Sequence, residues 1–259
     1  FSAYLDLVSG GQIEMGEGVN FSVPTGNFGN ILAAYYAKRM GLPVRRLHCA
    51  SNLNNVLTDF LSGGTYDTHR EFYKTTSPSM DILISSNLER LIFEVCGRNS
   101  ERTSELMKEL REKGSYDIGG ERLAEIRKKF WGGFALQSDY AETLAEVYDE
   151  YGYLADPHTA VAFDVCAQYT DGNADDAPVV VLSTASPVKF ASAVLAALGE
   201  DVPEDDVKAL RKMEDVTAFP VPDSVYALFG MEERFHDVID PSDVPAAVED
   251  FAKKLGEKA

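Results

Sequence analysis

A short glycine-containing loop between a strand and a helix constrains this fold more than any other feature. The loop, TGNFGN, occupies residues 25–30. Residues 20–24 before it predict a strand, and residues 31–40 after it predict a helix. A second strand over 44–50 and a helix near 53–61 follow. This order predicts an α/β fold, a parallel sheet with right-handed crossovers that is flanked by helices.

The loop has a composition that suits a phosphate monoester. Its two glycines let the backbone approach a ligand closely, and the following helix presents unpaired amides at its positive end. Asn27 and Asn30 add side-chain donors. A tight turn whose asparagine caps the helix explains the same pattern equally well. The loop is neither GxxxxGK[ST] nor a full GxGxxG motif, so ATP and NAD are disfavoured, whereas a phosphate-bearing cofactor that needs no metal stays open.

A second candidate lies after the apolar stretch 178–182, which has the most buried composition of the predicted strands. Ser183 and Thr184 follow it directly, and the carboxyl ends of parallel strands are where ligands of open α/β sheets bind. Ser186 precedes Pro187 and is explained as a helix cap. Thr184 is the hydroxyl that capping explains least.

The segment DPHTAV, residues 156–161, contains a histidine with two interpretations. Asp156 is a suitable N-cap for a helix that has Pro157 in its first position. A single histidine in the first turn is more often structural than catalytic, so we favour the structural interpretation. The sequence shows no Ser/His/Asp triad, no carboxylate pair and no metal-ligand spacing, and it identifies no catalytic residue.

Helical patterns dominate the remainder of the chain. The apolar spacing predicts one helix over 81–95, two charged helices within 101–131, and further helices near 138–151, 158–170 and 187–198.

The net charge of −18 argues against nucleic acid and against anionic membranes as partners. Residues 1–100 carry eight Lys/Arg and nine Asp/Glu, whereas residues 101–259 carry 16 and 33. We therefore expect an anion to bind within the first hundred residues.

The three cysteines, Cys49, Cys96 and Cys166, form neither a disulfide framework nor a zinc motif, which favours a reduced, cytoplasmic location. No stretch has the composition of a membrane span or signal peptide.

Four stretches together resemble a known family. Residues 20–67, which contain NFSVPTGNFGN, and residues 75–94, TTSPSMDILISSNLERLIFE, are similar to the threonine synthases, which are pyridoxal-phosphate enzymes. DPHTAVA at 156–162 and STASPVKF at 183–190 resemble later motifs of the same family, in the same order. The resemblance covers most of residues 1–190.

The resemblance implies the fold and the cofactor site. The fold would be the three-layer α/β class of tryptophan synthase β (fold type II), present here in part. It would comprise a cofactor-cradling domain over 1–200 and an acidic helical extension over 201–259. Thr184 would lie beside the pyridine nitrogen of pyridoxal 5'-phosphate. The residues that would hold the cofactor phosphate are Gly26, Asn27, Phe28, Gly29 and Asn30.

The resemblance also implies a lyase that converts O-phospho-L-homoserine and water into L-threonine and phosphate. The lysine that forms the family's Schiff base is expected in an N-terminal domain upstream of this sequence. We therefore expect a C-terminal fragment that is inactive alone and whose partner is that missing domain. The alternatives are another pyridoxal-phosphate lyase of the same fold and a non-catalytic phosphate-binding α/β domain.

Overall fold

A computed structural model describes residues 1–256 as an α/β protein. Its main sheet has four parallel strands in the order β5-β2-β1-β6. A separate antiparallel pair joins β3 to β4. The strands are β1 Val19–Pro24, β2 Val44–Ser51, β3 Thr65–Asp67, β4 Ser115–Asp117, β5 Phe130–Phe134 and β6 Val179–Val181.

The helices lie before, between and after the strands. They are α1 Ser2–Ser9, α2 Gly29–Arg39, α3 Val56–Gly63, α4 Leu88–Val95, α5 Ser100–Lys113, α6 Gly120–Arg127, α7 Gln137–Tyr151, α8 Pro157–Gly172, α9 Ala191–Ala197, α10 Asp206–Thr217, α11 Asp223–Leu228 and α12 Val244–Gly256. Within the described residues, no helix combines the length and apolar character that crossing a membrane requires.

Two adjacent glycines of β5 show that helices cover both faces of the main sheet. A Cβ on Gly132 would meet Thr58 and Leu61 of α3, whereas a Cβ on Gly133 would meet Val165 of α8. Because successive residues of a strand face opposite sides, α3 and α8 lie on opposite faces. The predicted parallel α/β fold with three layers is confirmed.

The predicted helix over 81–95 is wrong in its first half, because the helix begins only at Leu88. Asp81 lies instead in a loop, where its carboxylate accepts hydrogen bonds from Asn52, Asn54 and Thr75. These long-range bonds compete with the local helical pattern. The apolar spacing over 81–87 could not reveal them.

Two strands also differ from expectation. Strand β5, FWGGF, overlaps the end of a stretch predicted as helical and extends just beyond it. The sequence pattern does not reveal this strand because its two glycines, which allow close helix packing, remove the alternation typical of a strand. Strand β6 is only half-buried, because it lies at the edge of the described sheet. The other predicted strands and the helices α5, α6, α7 and α8 are confirmed within a few residues.

The contacts divide the chain into one unit over Phe1–Pro220 and a second that begins at Val221. In the first unit, α10 packs against α9. The second unit contains α11 and α12, and α12 exposes Val248, Phe251 and Leu255. The predicted domain division at residue 200 stays a prediction.

His48 on β2 is a buried imidazole without a polar partner. Its ring lies 3.9 Å from the ring of Tyr169 and 5.9 Å from that of Trp131, between centroids. Neither ring nitrogen has a hydrogen-bond partner within residues 1–256. Burial lowers the pKa of His48 to about 4; the nearby Asp175 raises it and Arg46 lowers it. His48 is therefore neutral in the folded protein at neutral pH.

We expect His48 to make the protein acid-sensitive. Below pH ~6.5 the unfolded chain binds a proton at this histidine while the folded chain does not, so stability falls by about 1.4 kcal/mol per pH unit until the folded pKa is reached. His48→Leu is expected to shrink the difference in unfolding free energy between pH 7 and pH 5 by about 2 kcal/mol, measured by urea denaturation. His69→Leu, at an exposed histidine, serves as the control. An unchanged pH profile in His48→Leu would contradict the assignment.

Candidate functional site

The loop over residues 25–30 lies where the central strand β1 ends and α2 begins. The amide of Thr25 donates to the carbonyl of Ala50 on β2 at 2.8 Å, which extends the sheet by one residue. The chain then leaves the sheet and enters α2 at Gly29. The loop therefore occupies the carboxyl edge of the sheet, where α/β proteins bind ligands.

The carbonyl groups of Gly26 and Asn27 have side-chain partners, and these fix the peptide planes. Gly26 accepts from the hydroxyl of Ser85 at 2.8 Å, and Asn27 accepts from the side chain of Asn87 at 2.8 Å. The peptide bonds are trans, so each N–H points opposite to the carbonyl of its own peptide unit. The N–H groups of Asn27 and Phe28 consequently point away from Ser85 and Asn87.

The backbone conformation of Phe28 turns the amides that follow it in the same general direction as the N–H groups of Asn27 and Phe28. It adopts the left-handed conformation, with φ 62° and ψ 14°, directly before the right-handed Gly29. Successive residues of opposite hand make a backbone concavity that binds anions. The Phe28 side chain is buried and lies 5.7 Å from Phe130, between ring centroids. This packing offsets the roughly 1–2 kcal/mol that the left-handed conformation costs a non-glycine residue.

These amides line an open concavity of about 200 Å³ formed by residues 24–30. Within the described residues, none of the N–H groups of residues 26–30 has an acceptor. The N-cap of α2 is Phe28, and no side chain caps the helix. Asn27 instead turns its side-chain oxygen toward the Ser86 hydroxyl at 3.4 Å. The alternative in which an asparagine caps the helix is therefore wrong.

Gly26 is required by close packing. A Cβ at this position would lie 2.7 Å from the carbonyl oxygen of Ser79 and 3.1 Å from the Cα of Met80. Backbone atoms cannot move aside as a flexible side chain can, so a larger residue would displace the loop. Gly29 differs, because the nearest atom to a Cβ there is Asn87 Nδ2 at 3.6 Å.

Comparison with known proteins shows what this chain is similar to. The family model "Threonine synthase, C-terminal" matches residues 159–251. Threonine synthase of Pseudomonas aeruginosa is 45% identical over 176 residues, which are 68% of this chain and 37% of that protein. Human threonine synthase-like 1 is 43% identical over 198 residues, 76% of this chain and 26% of that protein.

A solved structure supports the same relationship. The crystal structure of PLP-bound threonine synthase from Brucella melitensis superimposes with a TM-score of 0.71 at 40% identity, over 82% of this chain and 44% of that one. The chain is a relative of the threonine synthases. It spans less than half the length of each of these three relatives.

The threonine synthase-like motif at 156–162 has a structural role in this fold. Asp156 is the N-cap of α8, as the sequence predicts, and its carboxylate accepts from the His158 amide at 2.9 Å. His158 Nδ1 lies 2.7 Å from the same carboxylate, while Nε2 accepts from the Ser79 amide at 3.1 Å. These two contacts require a neutral ring protonated on Nδ1.

This histidine holds the segment that packs against Gly26. His158 binds the amide of Ser79, and the carbonyl of Ser79 is the atom closest to a Cβ on Gly26. Burial raises the pKa of Asp156, but hydrogen bonds from His158 and Thr159 more than offset it and bring the pKa below its usual value. Sequence reasoning did not connect DPHTAV to the loop, because the contact spans 79 residues of chain.

A network of polar side chains holds the other end of the same segment. The side-chain amide of Asn52 donates to the Asp81 carboxylate at 2.8 Å, and the amide of Thr75 donates to its other oxygen at 2.8 Å. Asn52 also donates to the Ser77 hydroxyl at 3.0 Å. Residues 75–81 are thus held rigidly beside the loop.

The remaining threonine synthase-like motif, STASPVKF, lies at the same edge of the sheet. Leu182 still pairs with β1, since its amide donates to the Ser22 carbonyl at 2.9 Å, and Thr184 follows two residues later with its side chain exposed. Leu182 and Asn30 line one groove. Ser186 accepts from the Val188 amide at 3.3 Å, which confirms its predicted capping role.

Proposed function

We propose that residues 26–30 hold the phosphate group of pyridoxal 5'-phosphate. The observation that carries this proposal is the set of unpaired amides at the left-handed turn of Phe28, which opens onto a concavity of about 200 Å³. Backbone amides and a helix N-terminus suit a phosphate without a metal ion. The threonine synthase of Brucella melitensis, which is similar to this chain, is a PLP-bound protein.

Each residue of the loop has a distinct part in the proposed site. Gly26 lets the loop lie against residues 79–80, so that its amides converge on the phosphate. Phe28 anchors the turn in the core. We propose that the Thr184 hydroxyl lies beside the pyridine nitrogen. A neutral hydroxyl there would not enforce protonation of the ring. Pyridoxal phosphate supplies an electron sink when it is bound.

We further propose that the parent protein is a threonine synthase, a lyase that makes L-threonine and phosphate from O-phospho-L-homoserine and water. Its relatives extend well beyond the matched region, so the lysine that binds the cofactor covalently is proposed to lie outside this sequence, in an N-terminal domain. The chain alone would then bind the cofactor without a covalent bond and would be inactive.

The cytoplasmic location stays a prediction; the three cysteines are free thiols.

Two experiments test this function. The intact parent protein is expected to release phosphate from O-phospho-L-homoserine and to leave L-serine and L-threonine unchanged; turnover of serine or threonine instead would favour another lyase of this fold. Borohydride treatment of residues 1–259 with pyridoxal phosphate is expected to leave no specific pyridoxyl-lysine by peptide mass spectrometry. A stoichiometric adduct on one lysine of this chain would overturn the proposed division of the site.

A further inference from the structure

A second concavity lies at the opposite edge of the main sheet from the loop. It has a volume of about 260 Å³, and two arginines, a hydroxyl and an indole line it together with apolar groups. Arg46 and Trp131 lie near the beginnings of β2 and β5, whereas residues 25–30 follow the end of β1. Arg127 ends α6, and Ser62 lies in the last turn of α3. The two concavities share no lining residue.

The two guanidinium groups of this concavity are free to bind a ligand, whereas the Ser62 hydroxyl already donates to the carbonyl of Asp59 at 3.1 Å. Within the described residues, the guanidinium groups of Arg46 and Arg127 form neither an ion pair nor a hydrogen bond, although the chain carries an excess of acidic residues. Two carboxylates, those of Glu125 and Asp175, are already paired with other cations. Glu125 binds Lys128 and Lys129, and Asp175 pairs with Arg45 at 3.1 Å.

Other positive charges lie close to the same concavity. Burial lowers the pKa of Lys38, and the charges of Lys129 and Arg46 lower it further. Lys38 is therefore near enough to Lys129 and Arg46 to be repelled by both. A bound anion would relieve that repulsion, which is a reason for an anion to bind at this edge in a protein with a net charge of −18.

We propose that this concavity binds a small organic anion, with Arg46 and Arg127 on its phosphate or carboxylate group. Guanidinium groups match both anions with paired N–H donors. The volume of about 260 Å³ suits a small metabolite. The binding is independent of the cofactor site.

Trp131 makes the proposal directly testable, because it is the one tryptophan of the chain. Its ring packs edge-on against Tyr169, with centroids 5.2 Å apart, so its environment is well defined. Inorganic phosphate and succinate are titrated separately into residues 1–259 at constant ionic strength, with sodium chloride as the blank. Trp131 emission and the NMR resonance of its indole N–H are recorded.

We expect a saturable change in both signals with at least one of the two anions. Arg127→Gln is expected to raise the anion concentration at half-saturation at least tenfold. Lys128→Gln removes the same charge from the neighbouring position, which does not line the concavity, and is expected to bind as the parent chain does.

The absence of a saturable response to both anions would overturn the proposal. Equal affinities in the parent chain and Arg127→Gln would also overturn it, since the two arginines would then serve only the surface charge and the dipole of α6.

Discussion

Replacing Gly26 with alanine is expected to weaken the binding of pyridoxal phosphate to this chain at least roughly tenfold. The new Cβ would lie 2.7 Å from the Ser79 carbonyl oxygen, in the segment over residues 75–81 that contacts with His158 and Asp81 hold in place. Overpacking of this kind costs about 1–3 kcal/mol, and the displaced loop would no longer direct its amides at one point. Isothermal titration with pyridoxal phosphate and urea denaturation measure the two effects.

Gly29→Ala is the matched control for folding. The nearest atom to its Cβ would lie at an ordinary contact distance, 3.6 Å, and the residue starts a helix, so the free energy of unfolding is expected to stay the same or to rise slightly. Equal stabilities for Gly26→Ala and Gly29→Ala would show that the contact with residues 79–80 does not constrain the loop.

His158→Ala is expected to have the largest effect on stability, a loss of about 3 kcal/mol or more. The substitution takes one partner from the buried Asp156 carboxylate and the acceptor from the Ser79 amide, and it removes the ring that lies 4.8 Å from Phe190. We also expect weaker binding of pyridoxal phosphate, because the segment beside Gly26 loses its attachment. Urea denaturation and the cofactor titration are again the measurements.

The chain contains a matched control for this histidine. Asp67 and His69 have the same spacing as Asp156 and His158 and make the same two contacts, from the backbone amide and from Nδ1. The side chain of His69 is 66% exposed, however, whereas that of His158 is 3% exposed. His69→Ala is therefore expected to cost far less stability. Similar losses for the two variants would contradict the role given to the Ser79 contact.

Sequence reasoning predicts the loop of this site well because its signals are local. Glycines at 26 and 29, between a strand and a helix, indicate a backbone cradle. The left-handed conformation of Phe28 is not predictable in the same way, since bulky residues rarely adopt it. It depends on burial against Phe130, a residue on a strand that the sequence pattern conceals.

The segment over residues 75–81, which packs beside the loop, is the part of the site that the sequence does not predict. Its stability depends on contacts between distant segments, from Asn52 to Asp81 and from His158 to Ser79. Each of these residues has an ordinary local interpretation, as a loop asparagine or a helix-capping motif. Only the fold brings them to the same edge of the sheet, and that is why residues 81–87 are a loop although their apolar spacing predicts a helix.

The most direct test of the central claim compares pyridoxal phosphate with pyridoxal, which lacks the phosphate group. If the amides of residues 26–30 hold that group, residues 1–259 bind pyridoxal phosphate at least roughly tenfold more tightly, a difference of about 1.4 kcal/mol or more. The preference is expected to disappear in Gly26→Ala. Equal affinities for the two compounds in the unmodified chain would contradict the claim.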